Sequence, residues 1–197
     1  MQRPASRPIL SVLYGYAAKP LMENRMKMQW MCVVALGCAS VLSATTAKAQ
    51  TDQDKQFLTM ASQSDFNEIT FSQLALQKST NPKVKAFAQR MITDHTRLEQ
   101  EMKPFAVKWG LTPASSLGPD HQELYNQLQG LSGSEFDKQY MTDMTQDHVK
   151  AVEMFQSEVG STQLPKFKAA VEKGEKVVEH HLEMAKKIDG EMGVPAS

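Results

Sequence analysis

The strongest constraint on the fold is a 4-3 alternation of positions between Val84 and Trp109. The alternation runs through Val84, Ala88, Met91, His95, Leu98, Met102, Phe105 and Trp109. Spacings of three and four residues place these side chains in one stripe along a helix. A long helix with one narrow, mainly apolar stripe must bury that stripe against other elements. The pattern therefore predicts a fold built from packed helices.

Three other segments carry the same periodicity, and no segment alternates as a strand. The first predicted helix covers Asp52 to Lys78, the second Pro82 to Trp109, the third starts after Ser134, and the fourth covers Thr162 to Asp189. The stripe of the first helix is Phe57, Ala61, Ser64, Glu68, Phe71 and Ala75. That of the third is Met141, Met144, His148, Ala151 and Phe155. That of the fourth is Leu164, Phe167, Val171, Gly174, Val178, His181, Ala185 and Ile188. The expected boundary signals are Asn81 and Ser134 as N-caps, Asp137 as a capping-box partner, and Gly110, Gly160 and Gly190 as stops.

The connection from Gly110 to Ser134 is too long for a simple turn between antiparallel helices. It is predicted to hold a short helix from Pro119 to Gln129, with Leu124 and Leu128 facing inward. The prediction is an all-α, ferritin-like four-helix bundle over residues 50–190, with a long crossover between the second and third long helices and a tail at 191–197.

Each predicted stripe contains one ionisable residue: Glu68, His95, His148 or His181. Glu68 lies 13 residues before Asn81 and His95 lies 14 after it, so the two are expected at one level. His148, 14 residues after Ser134, is expected at the same level if the connection crosses the bundle. His181 lies 20 residues after Ser161 and His148 13 before it. That difference predicts a mismatch in depth of about 10 Å.

Carboxylate and imidazole groups inside a helical bundle are a usual way to hold a transition-metal ion. The metal interpretation makes Glu68, His95, His148 and His181 ligands for iron, zinc, copper or manganese. Asp94 and Asp147 each precede a histidine and point about 100° away from it, so they are expected to reach another helix. With Tyr140 they form the predicted outer-shell partners.

Two alternatives stay open. The histidines can be neutral core residues that donate to a carboxylate such as Glu68, in a non-enzymatic structural or envelope-stress module whose acidic face binds a partner. They can also form a pH switch. No nucleophile–base pair and no phosphate-binding loop occurs in the sequence, so an enzyme is the less favoured class.

Three segments resemble one bacterial exported family, domain of unknown function 4142, whose members are often labelled membrane or outer-membrane proteins. They are "VKAFAQRMITDHTRL" (Val84 to Leu98), "GSEFDKQYMTDMTQDH" (Gly133 to His148) and "HHLEMAKKI" (His180 to Ile188). The resemblance implies a ferritin-like fold and peripheral association with the envelope. The family has no settled activity, so the resemblance does not indicate one for this chain. The family's recurrent polar positions match Glu68, Asp94, His95, Asp137, Tyr140, His148 and His181. Neither the paired Glu-x-x-His of ferritin di-iron sites nor a His-x-x-x-His is present, which counts against a di-iron centre.

The N-terminal part has the plan of a signal peptide over residues 22–49. Arg25 and Lys27 precede an apolar run from Trp30 to Leu42, and cleavage is predicted after Ala49. The mature chain is therefore expected to be periplasmic or secreted. Residues 1–21 are interpreted as a mis-assigned start or an extended leader. Lipidation at Cys38 in "ALGC" is the less favoured alternative.

Charge and cysteine content limit the partners of the mature chain. Six of the 22 basic residues and one of the 22 acidic residues precede Gln50, which leaves 16 positive against 21 negative, a net charge of −5. This balance argues against binding to nucleic acid. Both cysteines lie before Gln50, so a packed core rather than a disulfide must stabilise the domain. The sequence leaves open whether the chain forms a homo-oligomer. His180 is expected at the surface or in a subunit contact.

Overall fold

The computed structural model describes residues 48–193, which form five helices and contain no strand. The helices are α1 (Asp52–Lys78), α2 (Pro82–Trp109), α3 (Pro119–Gly130), α4 (Gly133–Ser161) and α5 (Pro165–Glu191). The all-helical prediction is confirmed, and α1 and α2 begin and end at the predicted residues. None of the helices in residues 48–193 has both the length and the hydropathy needed to span a bilayer. The described residues do not include the predicted signal peptide as far as residue 47, the candidate lipidation site Cys38, the segment 1–21 or the part of the predicted tail beyond 193.

The boundaries of α2 follow the local chemistry that the sequence predicted. The side chain of Asn81 accepts a hydrogen bond from the backbone N–H of Lys83 at 2.9 Å, which satisfies one of the free donors of the first turn. Pro82 occupies the first position, where its missing N–H costs nothing. Gly110 ends the helix with a φ of +70°, a left-handed conformation that favours glycine.

The later boundaries correct three predictions. The helix after the connection begins at Gly133, so Ser134 is not its N-cap, and the flanking Ser132 makes no side-chain cap bond. The last helix begins at Pro165 rather than Thr162, because the N–H of Thr162 still bonds to Glu158 at the end of α4. It then runs one residue past Gly190, to Glu191.

The four long helices pack as two close pairs that face each other. Helix α1 lies along α2 and α4 lies along α5, while α1 also packs on α4 and α2 on α5. The short α3 contacts α1 and α4, which seats the long connection against that side. Its Leu128 is fully buried and Leu124 partly so, as the sequence predicted.

Two apolar clusters fill the interior, one toward each end of the long helices. One cluster joins residues such as Phe71, Phe87 and Met144, and the other joins residues such as Phe57 and Phe167. Every long helix contributes to both clusters. Between them lies a polar layer, made of Asp65, Glu68, His95, His148 and His181, all of which are buried. A buried polar layer is costly unless its groups are paired, so its contacts define the place to look for function.

Candidate metal centre

Three histidines from three different helices meet in the polar layer. His95 lies on α2, His148 on α4 and His181 on α5, and each is at most 2% exposed. Their ring centroids are 5.8 Å apart for His95 and His148, 5.3 Å for His95 and His181, and 5.4 Å for His148 and His181. One ring nitrogen of each lies within 4.8 Å of those of the other two. We call these three residues the histidine cluster.

One nitrogen of each ring in the cluster is held by the surrounding protein. Nδ1 of His95 is 2.8 Å from Oδ1 of Asp65 on α1, and Nε2 of His181 is 3.0 Å from Oδ2 of Asp94 on α2. Nδ1 of His148 donates to the carbonyl oxygen of Met144, one turn earlier, at 2.8 Å. These contacts fix how each ring is turned.

The remaining nitrogen of each ring is free. Nε2 of His95, Nε2 of His148 and Nδ1 of His181 are buried and have no hydrogen-bond partner among residues 48–193. Since a carbonyl oxygen can only accept, His148 carries its proton on Nδ1 and presents a lone pair at Nε2. Three ring nitrogens without partners in one buried layer form a set that a metal ion can satisfy at once.

The protonation of the cluster suits this chemistry. Burial lowers the pKa of His95 and of His181 to about 4, and the pKa of His148 to about 3. The neighbouring rings add to the effect on His148 and His181, because adjacent positive charges repel. All three imidazoles are therefore neutral at pH 7, which is the form that binds metals.

Asp94 connects the cluster to the surface of α2. Its Oδ1 accepts from Arg97 at 3.1 Å, and its Oδ2 accepts from both Arg90 and His181. Burial acts to raise the pKa of Asp94, but the bonds from Arg90 and His181 outweigh it and hold that pKa below its usual value. The sequence expectation that Asp94 reaches another helix is met by the contact with α5.

Glu68 lies beside the cluster without belonging to the group of converging atoms. Its Oε1 is 3.9 Å from Nδ1 of His148, and its Oε2 is buried without a hydrogen-bond partner among residues 48–193. Burial raises the pKa of Glu68 well above its ordinary value, and the nearby carboxylates of Asp147, Asp65 and Asp143 add to the rise. It is Asp65, not Glu68, that contacts His95.

Two predicted outer-shell residues bond to groups outside the cluster. Oδ2 of Asp147 is 3.0 Å from Nε2 of His121 on α3, and Oδ1 of Asp147 accepts from Lys150 at 3.2 Å. The hydroxyl of Tyr140 is 2.8 Å from that of Ser72, inside the apolar cluster of Phe87. His180, beside the cluster in sequence, is exposed, as predicted.

The depth mismatch of His181 is smaller than the sequence predicts. The turn after α4 consumes three residues, and α5 starts at Pro165. His148 thus lies 13 residues before the end of α4 and His181 lies 16 after the start of α5, which leaves about 4.5 Å along the axis. Across this offset the rings of His148 and His181 still meet, with centroids 5.4 Å apart.

Asp65 is the functional candidate that the stripe pattern missed. The predicted stripe of α1 used Ser64, which is only half-buried, whereas Asp65 is 6% exposed. A second 4-3 series, through Leu58, Ala61, Asp65, Glu68 and Ser72, is also buried. This second series is the signal that leads to Asp65.

Comparisons with known proteins agree with the helical fold. The family profile described as "Domain of unknown function (DUF4142)" matches residues 39–188. Among solved structures, "putative secreted protein DUF305 from Streptomyces coelicolor" is 16% identical over 74% of this chain and 96% of its own, with a TM-score of 0.64. A "DUF305 fragment from Deinococcus radiodurans" is 16% identical over 73% of this chain and 99% of its own, with a TM-score of 0.65.

A third structure, "CopM in the Cu(I)-bound form", is 23% identical over 73% of this chain and 98% of its own, with a TM-score of 0.59. At these identities the likeness extends to the fold alone. No curated protein matches the chain.

Proposed function

This chain belongs to the DUF4142 family, and we propose that it is a metal-binding protein in which His95, His148 and His181 hold one transition-metal ion. The observation that carries the proposal is the set of three buried ring nitrogens without partners, one from each ring. Leaving buried polar atoms unpaired costs free energy, and one ion offsets that cost for all three.

The groups behind the rings support the same function. Ligating histidines usually donate their second N–H to a carboxylate or a backbone carbonyl, which fixes the ring and makes it a better donor. Asp65, Asp94 and the carbonyl of Met144 stand in these positions. Burial and the nearby Glu99 raise the pKa of Asp65 well above its ordinary value. Ion binding therefore requires Asp65 to give up its proton and to accept from the N–H at Nδ1 of His95, which leaves the lone pair at Nε2.

Copper and zinc suit the ligand set best. An all-imidazole set favours copper and zinc over manganese, which prefers oxygen ligands, and copper heads the affinity order of the divalent ions. CopM has been solved in Cu(I)-, Cu(II)- and silver-bound forms, so a protein of similar fold binds such ions. We propose copper as the first metal to test.

We further propose the finer architecture and the location. The packing of α1, α2, α4 and α5 around one interior, with α3 in a long connection, supports a ferritin-like four-helix bundle. Export through a cleaved signal peptide fits the secreted description of the Streptomyces relative. N-terminal sequencing of the protein from its native host should begin at Gln50, and a start upstream of residue 22 would contradict export by cleavage.

The test of metal binding compares His148→Ala with His180→Ala. Wild-type protein is expected to retain one copper ion per chain after gel filtration, measured by elemental analysis, and His148→Ala to retain none. His180→Ala removes an exposed histidine next to the cluster in sequence, so it should bind like the wild type. Circular dichroism checks that both variants keep their helices.

Thermal unfolding separates this function from a purely structural role of the histidines. An ion that binds only the folded chain stabilises it by about 2.7 kcal/mol at a free concentration of 100 times Kd. The wild-type Tm should rise with copper and return after chelation. If neither copper nor chelator changes the Tm and the protein retains no metal, the histidines have only a structural role in the core.

A further inference from the structure

A cavity of about 320 Å³ reaches the polar layer from the side of the molecule where α1, α3 and α4 meet. Its lining includes Glu68, His121 and Asp147, and the methionines Met60 and Met154. Glu68 is 97% buried by area and still forms part of this wall. The cavity therefore ends at a carboxylate that belongs to the polar layer.

Glu68 stands between the cavity and the histidine cluster. One carboxylate oxygen, Oε1, is 3.9 Å from Nδ1 of His148, and the other, Oε2, has no hydrogen-bond partner among residues 48–193. A buried carboxylate oxygen without a donor is a group that a passing cation can satisfy. Glu68 lies next to the ring of His148, and the ring atom that it faces, Nδ1, already donates to the carbonyl oxygen of Met144.

The cavity also carries the charge that would draw a cation inward. Asp147 lines it, and Asp143, with a buried Oδ2 that lacks a partner among residues 48–193, lies close enough to affect the pKa of Glu68. Lys150, the cation of this wall, is already paired with Asp147 at 3.2 Å. The carboxylates at this cavity outnumber its one lysine, and an excess of negative charge concentrates cations and speeds their arrival.

We propose that this cavity is the path by which a metal ion reaches the histidine cluster, with Glu68 as the relay carboxylate next to the ligands. The proposal rests on the metal-binding function argued above. A second cavity, lined by Asp65, Glu99 and Lys103, approaches the cluster from the α2 side. There the carboxylate nearest the cluster, Asp65, is already bonded to His95, whereas Glu68 has an oxygen without a hydrogen-bond partner among residues 48–193.

The experiment measures uptake, release and affinity separately for Cu²⁺ on the mature protein. Uptake is followed by stopped-flow mixing of apo protein with Cu²⁺, release by transfer to excess chelator, and Kd by competition. Glu68→Gln keeps the shape of the side chain and removes the carboxyl group that can ionise and bind an arriving cation. We expect uptake to slow about tenfold, and release to slow as well, so that Kd changes less than either rate. Asp147→Asn should slow uptake to a smaller extent.

Glu99→Gln, in the second cavity, is the matched control and should leave both rates unchanged. Slower uptake in Glu99→Gln with normal uptake in Glu68→Gln would overturn the path. Faster release from Glu68→Gln would overturn the relay, because it is the sign of a lost ligand. A wild-type protein that binds no Cu²⁺ would instead refute the proposed function itself, and the path with it.

Discussion

At the scale of single residues, the site depends on what holds the far side of each imidazole. Hydrogen bonds orient the three rings: His181 bonds to Asp94, His95 to Asp65, and His148 to the backbone carbonyl of Met144. The sequence could predict the histidines, because polar residues interrupt an apolar stripe. It could predict that Asp94 points away from its neighbour, because successive helical residues diverge by about 100°. The sequence could not show that Asp94 and Asp147 have different partners. Only the packing of the helices places Asp94 against His181 and Asp147 against His121.

Replacing Asp94 tests this outer layer. Asp94→Asn removes the negative charge that orients His181, so copper affinity should fall by about 10- to 100-fold. Asp147→Asn is the control, because Asp147 bonds outside the cluster and should leave Kd nearly unchanged. Competition with a copper chelator gives both values. Equal losses in the two variants would show a general charge effect in place of a specific contact.

At the scale of helices, the sequence predicted best where a boundary is set by local chemistry. Asn81, Pro82 and Gly110 mark α2 because each satisfies or omits a specific backbone group. It predicted less well where tertiary context decides. Ser134 has the composition of an N-cap, yet α4 begins before it, and Thr162 is kept in the last turn of α4 by a backbone bond.

The cap of α2 can be tested against a serine that flanks α4. Asn81→Ala removes the bond to the N–H of Lys83 and should lower the free energy of unfolding by about 1 kcal/mol. Ser132→Ala should change it far less, because Ser132 makes no cap bond through its side chain. Urea unfolding of both variants measures the difference. A loss for Ser132→Ala as large as for Asn81→Ala would contradict the assignment.

Gly174 tests how closely α4 and α5 pack. A Cβ at this position would lie 2.4 Å from Cε1 of Phe155, a ring that itself packs edge-on against Phe57. Gly174→Ala should therefore destabilise the fold by about 1–3 kcal/mol, despite the better helix propensity of alanine. In Gly160→Ala the new Cβ meets nothing within 4 Å, so that variant should be neutral or up to about 1 kcal/mol more stable. Thermal unfolding decides, and a stabilised Gly174→Ala would mean that Phe155 moves aside at little cost.

At the scale of the whole molecule, counting residues from the turns gave the common level of Glu68, His95 and His148. It misplaced His181, because the count assigned the turn residues Thr162 to Leu164 to the last helix. Three residues of turn change the depth of a side chain by about 4.5 Å if they are taken as helical. The common level of Glu68, His95 and His148 on three helices was thus predictable from the sequence. The position of His181 on the fourth long helix depended on the length of one short turn.

Buried carboxylates where α1 begins and α4 ends should make the stability of the molecule depend on pH. Burial raises the pKa of Glu158 to about 7, and the adjacent Asp54 adds to the rise. In the unfolded chain the group titrates near its ordinary value of 4.5. Between these values the folded state binds more protons, so this group's contribution is lost as pH rises from 4.5 to about 7.

The measurement is the difference between wild type and Glu158→Gln in urea unfolding from pH 4.5 to 8. The amide stands for the protonated acid and cannot titrate, so the wild type should lose stability relative to the variant as pH rises, and the difference should level off above pH 7. The groups that face Glu158 are Asp54, Gln53 and Ser161, and all remain in both proteins. Parallel curves for the two proteins would contradict the raised pKa.

The cluster draws its ligands from three helices, and His95, His148 and His181 are 53 and 33 residues apart along the chain. An extended polypeptide holds them too far apart to grip one ion, so the site exists only after α2, α4 and α5 have docked. If the chain is exported unfolded and binds a metal ion, as proposed above, it crosses the membrane without that ion. Under that proposal, the metal that the protein acquires is set by the ions available in the compartment where it folds, and the same sequence would take up different metals in two compartments.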